Sequence, residues 1–312
     1  MKTAKALTLT YLTPVSFASL NGSDKEADNI SSIKKIKVGK EDYPYVSSQA
    51  VRRALRNQLE VLGRTLSEGE AAKIAKGAAT TKQEPGTYID DDLFGYMGTE
   101  EATAGKKGKA TKRTSVVRVS PLVALNPYQG DLDFGTNYMG TKAGGDPNIF
   151  ETEIHSGLYR GSILIELDRV GNGDGFDGKD LDKKEKAQRV KDLLSAIKNL
   201  WASGRQSRFL ADIAPKFVAS AMLKTKNPIF LESIQVEGKK LNTGMIAETI
   251  KDYEKEIVAS TIGVRQGFFE GSVDGAKSIG VRQGFFEGSV DGAKSIGDAF
   301  DEMAKWVDEY YS

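Results

Sequence analysis

Hydrophobic positions recur at three- and four-residue steps in three parts of the chain, a spacing that predicts amphipathic helices. In VSSQAVRRALRNQL at 46–59, Ser47 or Ser48 supplies the N-cap, and a buried stripe is expected at Val51, Leu55, Leu59 and Leu62. The second helix, 183–203, has apolar residues at Ala187, Val190, Leu193, Leu194, Ile197, Leu200 and Trp201. The third, 298–310, has one apolar face of Phe300, Met303, Ala304 and Val307. A shorter helix is predicted over 68–77.

Alternating or continuous apolar segments predict the strands. Residues 6–16 alternate, with Leu7, Leu9, Tyr11 and Thr13 on one face, and Pro14 indicates an edge or a strand end. Strand character returns over 115–125, is strongest over the aliphatic run 158–170, and is last predicted over 228–236. Segments rich in polar residues, Gly, Asp or Pro predict loops at 20–44, 126–149 and 171–182. Periodicity alone therefore predicts mixed α and β structure.

Composition places the chain among globular proteins. Of 312 residues, 39% are hydrophobic and the mean hydropathy is -0.39. No apolar run approaches the roughly 18 residues needed to span a bilayer, and the N-terminus lacks the apolar core of a signal peptide. The absence of cysteine excludes disulfides and thiolate metal sites. We therefore expect a cytoplasmic protein.

The net charge of +1 hides a strongly uneven distribution. Residues 34–64 contain eight basic and three acidic side chains, a local charge of +5. Residues 102–120 contain six basic side chains and no acidic one, whereas 298–312 has one basic and five acidic side chains. Such asymmetry is typical of a protein with one polyanion-binding face, and it would also suit head-to-tail contacts between subunits.

The predicted helix at 46–59 is the first candidate for nucleic-acid binding. Its first turns carry Arg52, Arg53 and Arg56 beside serine hydroxyls and an amide. A helix N-terminus also presents backbone N–H groups that are not paired within the helix, so this combination suits a phosphodiester backbone. An ordinary surface helix with a solvated basic face is the alternative. The turn GRQSR at 204–208 is a second candidate, although it matches neither GxGxxG nor a Walker loop.

Candidates for catalysis or metal binding are weak. Asp90, Asp91 and Asp92 are adjacent in sequence, so their side chains point in different directions and a two-metal site would need carboxylates from other elements. The acidic run 171–182 fails the EF-hand spacing, because Lys179 occupies the position that requires glycine. His155 is the only histidine and precedes a core strand, so a structural role is expected. No cofactor is predicted.

Two further segments stand out by composition. Residues 99–114 are poor in apolar side chains and rich in Gly, Lys and Thr, which predicts a mobile basic arm or a disordered insertion. The 17 residues at 263–279 are repeated without a change at 280–296. Two short copies are too few for a solenoid. One copy is therefore expected to be structural and the other a surface insertion.

Several phrases in a fixed order carry a resemblance to a known family. They are the first strand with the text KALTLTYLTPVSFASLNG, the helix SSQAVRRALR after it, DDLFGYMG at 91–98, KRTSVVRVSPLVALNP at 112–127, IHSGLYRGSILIELDRVG at 154–171 and GRQSRFLADIAPKFV at 204–218. Over residues 5–235 the chain resembles the DevR branch of the Cas-seven family. These are the repeated backbone subunits that line the guide RNA in type I CRISPR Cascade complexes, mostly of type I-B.

The resemblance implies an architecture. We expect an α+β fold with an RRM-like (ferredoxin-like) palm formed by residues 1–98 and 112–240. The basic arm at 99–114 would be a thumb- or finger-like insertion in that palm. The C-terminal region, 241–312, would hold the duplication and the terminal helix.

The resemblance also implies a function. Copies of the chain would polymerise head-to-tail along a CRISPR RNA beside other Cascade subunits, and would display the guide for pairing with target DNA in antiviral defence, with no catalysis and no membrane partner. The residues then expected to contact RNA are Asn21, Lys34, Lys35, Lys37, Ser48, Gln49, Arg52, Arg53, Arg56, Lys112, Arg113, Arg205 and Arg208. Two alternatives stay open: a metal-dependent endoribonuclease of the same superfamily, and a stand-alone RNA-binding protein.

Overall fold

The computed structural model describes residues 1–27, 30–67, 73–75, 78–99, 110–138, 144, 148–201, 209–237, 240–265 and 293–312. Its helices are α1 (Ser48–Val61), α2 (Ile89–Phe94), α3 (Lys183–Lys198), α4 (Thr243–Asp252) and α5 (Ile296–Tyr311). Its strands are β1 (Ala6–Ala18), β2 (Gly22–Ala27), β3 (Ile30–Ile33), β4 (Lys35–Val38), β5 (Glu41–Val46), β6 (Lys73–Ala75), β7 (Ala78–Thr80), β8 (Tyr96–Thr99), β9 (Ala110–Arg113), β10 (Val117–Val119), β11 (Leu122–Ala124), β12 (Asp131–Asn137), β13 (Asn148–Glu166), β14 (Phe217–Leu223), β15 (Val236–Glu237), β16 (Lys240–Leu241) and β17 (Ile257–Val264). The mixed α+β class is confirmed.

One large sheet of 11 strands organises these elements, and β1 lies near its centre. The order is β17-β14-β1-β13-β11-β5-β4, with β10, β12 and β3 also paired to the long strand β13. β1 is antiparallel to both neighbours, and Leu9 lies opposite Ile163 on one side and Ser220 on the other. Pairing with β14 ends at Leu12, so Pro14 marks the end of that pairing and not the end of the strand.

The two faces of this sheet have different covers. Helices α1, α3 and α5 pack on one face, where Leu55, Leu193 and Met303 belong to the same buried cluster as Leu9. The other face is covered by the segment around Phe230 and by α4 in a smaller apolar cluster. None of the described helices is long and apolar enough to cross a membrane.

The three long predicted helices are confirmed, with shifted ends. α1 begins after the N-cap Ser47, and its hydroxyl accepts the N–H of Ala50. Leu62 lies beyond the helix and is 45% exposed, so it does not extend the buried stripe. α3 ends at Lys198, before the predicted end at 203. The predicted strand 158–170 is confirmed over 158–166 within β13, which starts ten residues earlier, whereas Leu167–Arg169 forms a 3-10 helix.

Several local predictions are wrong. The predicted loop at 20–44 contains β2 to β5, and the predicted loop at 126–149 contains β12 and the start of β13. In these polar segments β2 pairs with β3, β4 with β5 and β12 with β13. The described part of 68–77 is strand β6, not helix. The predicted strand at 228–236 is mainly turns, whereas β14 and β17 were not predicted. Most of the duplication, 266–292, lies outside the described residues.

Candidate nucleic-acid interface

The N-terminus of α1 is fixed by Asn21, which follows the end of β1. Ser47, the N-cap, donates its backbone N–H to the side-chain oxygen of Asn21 at 2.7 Å. The backbone carbonyl of Asn21 accepts the N–H of Lys34 at 2.8 Å. Three residues that are far apart in sequence are thereby fixed around one helix start. Two of them, Asn21 and Lys34, are predicted RNA contacts.

The first turn of α1 presents polar groups outward. The Ser48 hydroxyl donates to the side-chain carbonyl of Gln49 at 3.3 Å, and Gln49 is exposed. No acidic side chain lies in this turn. Because the first N–H groups of a helix lack intrahelical acceptors and carry the positive end of its dipole, this turn favours an anion. The predicted hydroxyl and amide donors therefore lie where a phosphate would be bound.

The arginines of α1 differ in their surroundings. Arg53 is exposed, whereas Arg52 is half-buried and its Nε has no hydrogen-bond partner among the described residues. Burial lowers the pKa of Arg52 from its usual value, and the nearby charges of Arg56 and Arg118 lower it further. A cation in this position gains from a bound anion, since the buried N–H has no acceptor and two like charges are close.

Arg56 contacts two residues of the short helix α2. Its Nε lies 3.5 Å from a carboxylate oxygen of Asp90, and its guanidinium lies 4.6 Å from the centroid of the Phe94 ring. Asp90 is completely buried, and burial raises the pKa of its carboxyl group. Arg56 therefore also compensates the charge of a buried carboxylate, so its replacement would affect stability as well as any contact at the surface.

The three lysines before α1 are not equivalent. Lys35 lies 2.8 Å from Glu153 and 4.4 Å from the centroid of the Tyr128 ring, so its charge is already compensated. Lys37 is exposed on β4, 3.9 Å from Asp42. Lys34 is half-buried beside the start of α1. Of the three, the geometry favours Lys34 and Lys37 as groups available to an external anion.

The two predicted arm residues, Lys112 and Arg113, are adjacent on β9, but one is exposed and the other is buried. Lys112 is exposed, whereas Arg113 is 2% exposed and binds Asp92 at 2.5 Å. Arg113 also donates to the backbone carbonyls of Asn172 and Asp174. This burial corrects the expectation that Arg113 contacts RNA: its hydrogen bonds are used inside the protein. Residues 205 and 208, the last two predicted arginines, lie outside the described residues.

The three adjacent aspartates form a buried structural centre. Asp92 binds both Arg113 and Arg189, at 2.5 Å and 2.8 Å. Asp90 and Asp91 accept the backbone N–H groups of Ser67 and Glu84. All three carboxylates are 0% exposed, and no group of three His, Cys, Asp or Glu side chains among the described residues is arranged to hold a metal.

A cluster of basic side chains around Glu166, including Arg118 on β10, was not among the predicted site residues. Arg118 is exposed on β10 and lies 2.6 Å from Glu166, which also binds Arg169 and Lys226. These hydrogen bonds hold the pKa of Glu166 at about 2 although burial opposes this. The alternation Val-Arg-Val in the sequence was the available signal, since it points Arg118 away from the core side of β10.

Taken together, these groups can bind an extended polyanion. Arg52 lies close enough to Arg118 for their charges to interact, and Arg53 and the first turn of α1 add a guanidinium group and backbone donors. Guanidinium groups and helix N–H donors bind phosphates without reading bases, so the geometry favours contact with a nucleic-acid backbone.

Comparison with solved structures places the fold among proteins of CRISPR effector assemblies. One chain of a structure titled "CRISPR RNA-guided surveillance complex, pre-nicking" aligns with 97% of this chain and 100% of its own length, with a TM-score of 0.57 and 13% identity. A chain of another "CRISPR RNA-guided surveillance complex" aligns with 96% of this chain and 99% of its own, with a TM-score of 0.55 and 15% identity. At these identities the likeness concerns the fold.

Sequence comparison gives the family. The family model described as "CRISPR-associated negative auto-regulator DevR/Csa2" matches residues 12–243, and the chain belongs to this family. The CRISPR-associated protein Cas7/Cst2/DevR of Myxococcus xanthus is 29% identical over 242 residues, 72% of this chain and 74% of that protein. The aCascade subunit Cas7/Csa2 2 of Saccharolobus solfataricus is 27% identical over 137 residues, 40% of this chain and 42% of that protein.

Proposed function

We propose that this chain is the CRISPR RNA-binding backbone subunit of a type I-B Cascade complex. Copies polymerise head-to-tail along the guide RNA with other Cascade subunits, and the displayed guide pairs with target DNA in antiviral defence. The observation that carries the proposal is the start of α1, where Arg52 and a turn without acidic side chains are fixed by Asn21 in a chain of the DevR/Csa2 family.

The groups around the start of α1 suit a guide RNA of any sequence. Contacts of arginine and helix N–H groups with phosphate and ribose fix the path of an RNA but do not select bases. Specificity then comes from base pairing between guide and target, as in other RNA-guided systems. The acidic side chains of α5 and the arginines of α1 supply opposite charges for contact between successive copies. Such a complex would act in the cytoplasm.

We also infer that the centre of the sheet is an RRM-like (ferredoxin-like) palm. Its support is the strand order β14-β1-β13-β10, in which each pair is antiparallel. α1 lies between β1 and β10 in the chain, and α3 lies between β13 and β14. This is the arrangement of a β-α-β-β-α-β unit with two helices on one face.

The proposed role is not enzymatic. A metal-dependent ribonuclease needs carboxylates that are open to a metal and to RNA. The aspartates at 90–92 are buried and accept protein N–H groups, and His155 is 3% exposed. We therefore keep the ribonuclease as an outcome of the test.

The test begins with the full chain, purified with nuclease treatment and analysed by size exclusion with sequencing of any retained RNA. Large RNA-bearing assemblies whose protected lengths increase in regular steps support the proposal. A monomer that stays monomeric when RNA is added overturns it, as does a monomer that binds RNA one copy at a time. Magnesium-dependent cleavage of the added RNA would identify a ribonuclease instead.

A substitution connects that result to the site. Arg52→Gln should weaken RNA binding and reduce the slope of log affinity against log salt by about 0.7, the value for one phosphate contact to a single strand. Arg52 is preferred to Arg56, whose removal would leave the buried Asp90 without its cation. Lys251→Gln, an exposed site on α4 at the opposite face of the sheet, is the control with the same loss of charge.

A further inference from the structure

A second basic site lies at the end of the sheet where β1, β14 and β17 meet the helices. An open cavity of about 700 Å³ is lined by the last residues of α3, the segment before β14, the end of β17 and the first turn of α5. Its volume is within the range of about 300–1,000 Å³ that is usual for small-ligand sites. None of the residues considered in the α1 interface lines it.

The walls of this cavity carry more positive than negative charge. Lys198, Lys216 and Arg265 line it together with one carboxylate, that of Asp212. Lys216 is 5% exposed and donates to Asp212 at 2.7 Å, so this pair is satisfied within the wall. Lys198 and Arg265 then remain as positive charges without a carboxylate partner among the described residues.

Lys198 lies between two helix ends. It is in the last turn of α3, where the helix dipole favours a cation, and its Nζ lies 3.9 Å from the position that a Cβ would occupy on Gly297, in the first turn of α5. Arg265 lines the same cavity, where burial and then the charge of Arg265 lower the pKa of Lys216. The cavity therefore offers the positive charges of Lys198 and Arg265 and the start of a helix to an anion.

The cavity also offers an aromatic surface. Trp201 lines it and is 40% exposed, whereas the other tryptophan, Trp306, is 5% exposed in the core. An exposed indole beside cations is the combination with which proteins bind single-stranded nucleic acids: bases stack on the ring and phosphates meet the cations. A binding site for an acidic protein segment would have no need of the exposed ring.

The chain connects this cavity to the α1 interface through β1. Lys216 donates its N–H to the carbonyl of Leu12, and Phe17 packs against Phe209 at a ring distance of 5.5 Å. Four residues further on, Asn21 holds the start of α1. The path from Leu12 to Asn21 is at most about 30 Å, at about 3.3 Å per extended residue. This upper limit concerns the chain between Leu12 and Asn21, which links the cavity wall to the start of α1.

We propose that this cavity binds one nucleotide of the same single-stranded RNA, with its base stacked on Trp201 and its phosphate between Lys198 and Arg265. The inference rests on the proposed function, because it assigns a second contact to the RNA that α1 holds. It adds a base-stacking contact, which is indifferent to sequence because every base presents a π-face.

The test uses the full chain and a fluorescein-labelled oligouridine. Lys198→Gln combined with Arg265→Gln should reduce the salt slope of binding, by about 0.7 for a single shared phosphate. Trp201→Ala should weaken binding by roughly 5- to 150-fold, and Trp201→Phe should restore most of it because a ring remains. Lys216 is left unchanged, since it is buried and paired. Denaturant midpoints equal to that of the unmodified chain show that the variants are folded.

Tryptophan fluorescence gives a direct measurement. RNA should quench the emission of Trp201, and the quenching should disappear in Trp201→Phe, which retains only Trp306. Quenching that persists in Trp201→Phe overturns the stacking contact.

The outcomes separate this inference from the proposed function. If Arg52→Gln weakens binding but Lys198→Gln with Arg265→Gln does not, the cavity assignment is overturned and the α1 interface stands. If none of these variants changes RNA affinity, the proposed function fails as well. If the cavity variants change self-association without RNA and leave RNA affinity intact, the cavity binds an acidic segment of a second copy, which also overturns the inference.

Discussion

The side-chain oxygen of Asn21 accepts a 2.7 Å hydrogen bond from the backbone N–H of Ser47, 26 residues later in the chain. The bond joins the segment after β1 to the N-cap of α1. It sets the direction in which the first turn of α1 faces, and with it the positions of Ser48, Gln49 and Arg52. A neutral side chain therefore positions the charged groups of the proposed RNA interface.

Two replacements of Asn21 should distinguish its role in holding the start of α1 from its proposed contact with RNA. Asn21→Ala removes the acceptor for the Ser47 N–H, so we expect about 1 kcal/mol lower free energy of unfolding and weaker RNA binding with an unchanged salt slope. Asn21→Asp keeps an acceptor oxygen but adds a negative charge beside the RNA. It should unfold like the unmodified chain and bind RNA more weakly. Equal RNA affinity of Asn21→Asp and the unmodified chain would place Asn21 outside the interface.

Adjacent serines at the start of α1 provide a matched pair. Ser47 caps the helix, with its hydroxyl accepting the Ala50 N–H at 3.3 Å, whereas the Ser48 hydroxyl, within the described part of the chain, donates to its neighbour Gln49. Ser47→Ala should lower the free energy of unfolding by about 1 kcal/mol, and Ser48→Ala by less than about 0.5 kcal/mol. RNA titration should show the opposite preference, with loss of affinity in Ser48→Ala at unchanged stability. A Ser48→Ala protein that binds RNA normally would remove this hydroxyl from the site.

Two neighbouring basic residues on β9 should give contrasting phenotypes. Arg113→Gln leaves the buried carboxylate of Asp92 with one of its two cations, and breaking such buried pairs typically costs about 3–5 kcal/mol of stability. Lys112→Gln changes an exposed side chain and should leave the denaturation midpoint unchanged while reducing the salt slope of RNA binding. Urea denaturation and RNA titration of both variants check this. A stable Arg113→Gln protein would show that the buried network around Asp92 is not needed for the fold.

Helices and long strands could be predicted because burial of one face leaves a period in the sequence. Leu55 and Leu59 in α1, or Leu193 and Ile197 in α3, recur at the helical spacing and are completely buried. β14 was missed for the converse reason. All of its residues are buried, so FVASAML shows no alternation of apolar and polar positions.

The polar strands before α1 form two local pairs, β2 with β3 and β4 with β5, but the strands that join them to the large sheet are remote in sequence. β3 pairs with β13, with Ile30 opposite Glu151, and nothing within 20–44 encodes that contact. For the site, one helix brings Arg52, Arg53 and Arg56 together, so their proximity was predictable. The buried state of Arg113 was not, since it depends on Asp92 and on backbone groups at 172 and 174.

His155 lies at the junction between the two parts of β13. The strand's inner part pairs with β1 in the central sheet, and its outer part pairs with β12, while a register shift in β1 between Val15 and Ala18 adjoins His155. The imidazole is 3% exposed between the rings of Tyr128 and Tyr159, and neither of its nitrogens has a hydrogen-bond partner among the described residues. Burial lowers the pKa of His155 below its usual value.

Stability should therefore decrease with acidity in a defined range. The unfolded chain binds a proton at His155 near pH 6.5, whereas the folded chain resists it, so the free energy of unfolding falls as pH drops below about 6.5 and levels off below the lower folded-state pKa. Glu166, with a folded pKa of about 2, loses its stabilising effect only as pH falls from about 4.5 towards 2. As pH falls, the effect of His155 begins near pH 6.5 and that of Glu166 near pH 4.5.

The measurement compares urea denaturation of the unmodified chain and of His155→Phe across mildly acidic pH. The free energy of unfolding of the unmodified chain should fall relative to that of His155→Phe as pH falls, because the phenylalanine cannot bind a proton. The comparison cancels other groups such as Asp90, whose raised pKa stabilises the fold in the opposite direction as pH falls. Since the chain has one histidine, the NMR titration of its imidazole reports the folded pKa directly. A value at or above about 6.5 would contradict the prediction, because a buried imidazole without a partner must resist protonation.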